Sequence, residues 1–146
     1  VSRIPRYQEH LKTGFTAEAM SAARFRANAG RAAADGLAHL AEEWRRLAAE
    51  KDRLAILLLE AAGQVRDPQA DLATALADER YENEVLYPKM IRDVDGPTAD
   101  TFLAVIAAQR EHLKRLEDLR ARFMAATGDV DVPSEVGAGT HGSQPG

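Results

Sequence analysis

The chain has 146 residues, no cysteine, and 19 basic against 23 acidic residues, for a formal net charge of -4. Without thiols there are no disulfides, thiolate zinc sites, iron–sulfur clusters or cysteine nucleophiles, and the interspersed charges make no nucleic-acid surface. No apolar run approaches the roughly 20 residues that span a bilayer; Ala, Leu, Arg and Glu dominate, so the expectation is a helical domain of the cytoplasm.

In chain order, Tyr7, Leu11 and Phe15 are spaced four apart, and Pro5 can open a first turn. They predict a short amphipathic helix or an extension of the next one. A first clear helix is predicted over residues 16–34, with Phe15, Glu18, Ala22, Phe25, Ala29 and Ala32 on one stripe. Glu18 is the only charge on it, and a first-turn glutamate favourable to the helix dipole is the plain explanation. Asp35-Gly36 marks a turn. A second helix follows over 37–62 and ends at Gly63. Its stripe runs Leu37, Leu40, Ala41, Trp44, Leu47, Ala48, Lys51, Leu54, Ala55, Leu58, and Lys51 interrupts it. A lone lysine at such a position snorkels to water; one that faces carboxylates turns inward.

After a short link over 63–67, with Asp67 as cap and Pro68 at the first helical position, a third helix is predicted to run to about residue 94. Pro88 falls inside it and should kink it. Its apolar side, Leu72, Ala75, Leu76, Leu86 and Met90, is broken by Glu79 and Glu82. Residues three apart share a helix face, and two carboxylates on a buried face are costly unless neutralised. Asp95-Gly96-Pro97 is the next turn. The fourth helix, over 98–126, carries Phe102, Val105, Ile106, Gln109, His112, Leu113, Leu116, Leu119 and Phe123, with Gln109 and His112 as polar intruders. Residues 128–146, rich in Gly, Pro, Ser and Thr, read as a disordered tail.

The expected architecture is an all-α, ferritin-like antiparallel four-helix bundle over 1–127, followed by that tail. Every helix has an interrupted stripe, and interruptions that meet inside one bundle form a buried polar site. One glutamate from each of two helices plus Glu-x-x-His from each of the other two is the di-iron carboxylate arrangement. Here the counterparts are Glu18, Glu79, Gln109-x-x-His112 and Lys51-x-x-Leu54.

At these residues the chain resembles the rubrerythrin family. Glu79-Arg80-Tyr81-Glu82 followed by Tyr87-Pro88 looks like that family's Glu-x-Tyr-Glu…Tyr-Pro segment. His112-Leu113-Lys114-Arg115-Leu116-Glu117 resembles the run from the fourth-helix ligand histidine, and Phe15-Thr16-Ala17-Glu18 with Phe25 resembles the first helix, where a tyrosine is usual at Phe25. The resemblance covers about residues 11–123 and lacks the cysteine-ligated rubredoxin module. It implies metal-ligand positions at Glu18, Glu79, Glu82 and His112, with Tyr87 as a hydrogen-bond donor to a carboxylate and Phe25 beside the site. The chain departs from the family where its bridging carboxylates fall, at Lys51 and Gln109, and where its second-helix histidine falls, at Leu54.

Three carboxylates then face a lysine, a histidine and an amide. A lysine there repels a neighbouring cation, so the expectation is a degenerate site that holds one ion of iron, manganese or zinc, or none, and neither haem nor nucleotide. The alternatives are an active di-iron peroxidase, oxidase or iron handler served by a separate electron donor, and a non-catalytic helical interaction module. The short link between helices two and three adds the expectation of a homodimer, with exchange of helices between chains as one route.

Overall fold

A computed structural model of the chain describes residues 6–130. Pro5 and all but the first residues of the Gly-rich tail lie outside the described residues. The fold is all-α: four helices, the third bent, with no strand among the described residues. Two compact units divide the chain at Asp67 and Pro68, and each is a helical hairpin.

The first hairpin is α1 (Arg6–Ala34) and α2 (Ala38–Ala61). Tyr7, Leu11 and Phe15 lie on α1, so the N-terminal pattern is an extension of the first helix rather than a separate one. Between α1 and α2 the chain reverses at Gly36, whose φ of +77° few other residues adopt cheaply. The Gly36 and Leu37 N–H groups donate to the last carbonyls of α1, at Ala33 and Ala32. The seam between the helices is alanine: Ala22 and Ala29 on α1, and Ala41, Ala48 and Ala55 at seven-residue intervals on α2, are all buried. Seven residues are nearly two helical turns, so the repeat keeps one small face toward the partner. Larger residues pack along the flank. Phe25 meets Trp44 with ring centroids 5.1 Å apart.

Taking alanine for the seam leaves the leucines of the same stripe beside it. Leu37, Leu40, Leu47 and Leu54 stay between 42% and 50% exposed. Nearly half of each of these side chains is therefore left uncovered.

The second hairpin pairs a bent helix with α5 (Gly96–Ala125). The bent helix comprises α3 (Pro68–Tyr81), a π-helical turn over Glu82–Leu86, the short α4 (Tyr87–Met90) and a 3-10 turn over Ile91–Asp93. The kink expected at Pro88 is thus built one turn earlier. Proline has no N–H to donate and its ring clashes with the carbonyl four residues back. The π turn absorbs this by widening the backbone, and the Tyr87 N–H reaches the Glu82 carbonyl instead of that of Asn83. Leu76 is buried, the Tyr87 and Phe102 rings pack at 6.1 Å, and Arg80 pairs with Glu117 at 3.6 Å. No helix among the described residues is long and apolar enough to cross a membrane.

Candidate functional site

Each hairpin brings its own sequence-predicted polar residues together. In the first, Lys51 Nζ lies 2.8 Å from Glu18 Oε2. The register explains the meeting. Moving seven residues along each helix carries Glu18 to Phe25 and Lys51 to Trp44, so the ion pair occupies the next layer of the flank that holds the aromatic pair. The side chains are 31% exposed for Lys51 and 23% for Glu18, which makes the pair half-buried. Glu18 Oε2 has no aligned hydrogen-bond donor, so the lysine contact is an ion pair by proximity. Leu54, three residues on, is on the exposed leucine stripe and makes no part of this pair.

In the second hairpin the π turn carries the polar cluster. Gln109 Nε2 donates to Glu82 Oε2 at 2.9 Å. Asn83 Nδ2 donates to two backbone carbonyls, Glu79 at 2.7 Å on its own helix and Gln109 at 3.2 Å on α5, and so fastens the bent helix to its partner. Glu79 Oε2, Asn83 Oδ1 and Gln109 Oε1 are buried acceptors without a donor. The Glu79 carboxyl is held above its ordinary range, first by burial, then by the charge of Glu82, with His112 pulling the other way and Asp78 adding a little. Burial and a like charge both disfavour a carboxylate.

His112 is exposed. With Glu79 it borders a groove of about 650 Å³ over the C-terminal half of α5, lined also by Arg115, Leu116, Asp118, Leu119 and Arg122. Arg122 pairs with Asp118 at 2.9 Å. Tyr87 packs its ring on Phe102, and Phe25 packs on Trp44.

No family model matches the chain, and no curated protein matches it in sequence.

Within neither hairpin, among the described residues, do three His, Asp or Glu side chains gather as metal ligands would. Glu18 faces an ammonium, and Glu82 has one oxygen occupied by an amide. The other two predicted donors, Glu79 and His112, act on each other, the charge of His112 offsetting part of the rise in the Glu79 carboxyl.

Asn83 is the residue that sequence reasoning passed over. Its signal was present: it lies four residues after Glu79, on the same helical face. Its second bond, to the Gln109 carbonyl, depends on the approach of α5 and is invisible in the sequence.

Proposed function

We propose that the chain is a ferritin-like protein of rubrerythrin type whose di-iron site is degenerate, with Lys51 and Gln109 in the two bridging-carboxylate positions, and that it binds at most one metal ion. The reading includes a cytoplasmic location, in keeping with the cysteine-free composition. One observation carries it: the Lys51 ammonium lies 2.8 Å from Glu18, the carboxylate that the resemblance assigns to a metal. A fixed cation at that range satisfies the glutamate and repels a second cation beside it. The Gln109–Glu82 hydrogen bond occupies one oxygen of the second hairpin's glutamate with a neutral donor. The first hairpin thus supplies a counter-charge and the second a hydrogen-bond donor, and neither of these two contacts requires a metal. Bundle folds serve many activities, and this polar chemistry favours a structural or binding role over turnover at two irons.

The test is metal titration of the full chain beside a variant that restores the ligand types, Lys51→Glu, Leu54→His and Gln109→Glu together. The parent should bind no more than one ferrous, manganous or zinc ion per chain. The variant should be less stable without metal, because it buries carboxylates without a counter-charge. With ferrous iron it should recover, because ligand binding to the folded state alone shifts the unfolding equilibrium. Two metal ions in the unmodified chain would overturn the proposal, as would a helical variant that gains no metal.

A further inference from the structure

The outer face of α2 carries a second feature, unrelated to the polar layer. Ile56, Leu57, Leu58 and Leu59 make one turn that is apolar all round, and such a turn is normally covered on every side. Leu58 packs toward Gly14 of α1, where a Cβ would meet its Cδ1 at 3.2 Å, and Leu59 is half-buried. Ile56 and Leu57 are 52% and 57% exposed. At 100° per residue, the face centred between them lies roughly 150° round the helix from the seam alanine Ala55. Two charges bracket it on the same face. Arg53 and Glu60 are both exposed, and neither side chain is paired with a charge among the described residues. They are seven apart, too far to pair within one helix, where partners sit three or four apart.

We infer that this face is an interface between two copies of the chain, with α2 packed antiparallel on α2 about a two-fold axis between Ile56 and Leu57. The sequence Arg53-x-x-Ile56-Leu57-x-x-Glu60 is complementary to its own reverse. A two-fold axis at its centre sets Arg53 against Glu60 of the second copy, Glu60 against Arg53 of the second copy, and Ile56 against Leu57. An isologous interface requires this property, since residue i must suit residue j and j must suit i. Any other partner would have to supply the same charge order independently. The inference does not rest on the proposed function, because none of these residues belongs to the polar layer.

The test is sedimentation of the full chain over a wide concentration range, with charge reversals. The parent should dimerise reversibly. Arg53→Glu and Glu60→Arg should each weaken dimerisation by about tenfold, since each replaces two cross-interface attractions with repulsions. Mixing the two single variants should give a heterodimer, and the double variant, with both charges exchanged, should regain the parent's affinity. Leu57→Gln, which leaves the charges in place, should also weaken it. Circular dichroism controls for helicity in every variant. A parent that stays monomeric overturns the inference. So does a dimer indifferent to the single reversals, or a double variant that is not rescued; the last two would move the contact to another face, including the leucine stripe.

Discussion

Lys51→Met tests the first hairpin most directly. Methionine keeps the length and packing of the lysine stem and removes only the charge. At 2.8 Å the gross attraction between Lys51 and Glu18 is about 6 kcal/mol at an effective dielectric near 20. Most of that is offset by the desolvation of both groups and the ordering of a long side chain. A fully buried pair would cost about 3–5 kcal/mol to break, and a fully exposed one under about 1 kcal/mol. With side chains 31% and 23% exposed, the expected loss is about 1–2 kcal/mol. Glu18 Oε2 has no other partner to retain it, so most of the loss is that of an unpaired carboxylate. A double-mutant cycle of Lys51→Met with Glu18→Gln, read by urea unfolding at neutral pH, isolates the pair. The coupling should be about 1 kcal/mol or more, and Glu18→Gln should recover most of the stability lost in Lys51→Met. A coupling below about 0.3 kcal/mol would mean that the ammonium is solvated, and that the polar layer is not neutralised from within.

Three further outcomes are expected. Because the folded-state pKa of Glu79 is raised above 4.5 by burial and Glu82, the folded protein holds a proton that the unfolded chain has released, and stability falls as pH rises from about 4.5 through the folded value; Glu79→Gln should flatten this fall, so urea midpoints of parent and variant that diverge toward neutral pH check it and parallel curves refute it. Asn83→Ala should cost about 1–3 kcal/mol by freeing the Glu79 and Gln109 carbonyls, and amide exchange should speed up first around the Glu82–Leu86 turn. Gly30 sits within α1 with nothing within 4 Å of where a Cβ would stand, so Gly30→Ala should raise stability by roughly 0.5–1 kcal/mol, seen as a higher thermal midpoint; a lower one would place an unrecognised contact at that surface.

The helices themselves were legible in the sequence. Asp35-Gly36, Gly63 and Asp95-Gly96-Pro97 end or restart the chain because glycine admits positive φ and proline cannot donate, and these are local properties. The observed helices start and stop within a few residues of those marks. The polar intruders were legible too, because an amphipathic stripe exposes any residue that breaks it. What the stripe could not say is which part of it each neighbour takes. On α2 the sequence runs alanines and leucines along one continuous band, and close approach of α1 selects Ala41, Ala48 and Ala55 while leaving Leu40, Leu47 and Leu54 outside.

The same limit applies to the site. Spacing placed Glu18 and Lys51 on inward flanks, but their 2.8 Å separation depends on the antiparallel register set by the alanine seam. Spacing placed Glu79 and Glu82 on one face and Gln109 on another helix. It could not place the π turn, because Pro88 requires only that a backbone bond be lost, and where the helix widens depends on what catches the freed groups. Asn83, bonded to the Glu79 carbonyl and to the Gln109 carbonyl on α5, ties the widened turn to a partner about 26 residues further along, as a tertiary contact and not a local preference. Residue type and period are written along the chain; pairing between helices is a property of their approach, and only the folded hairpins determine it.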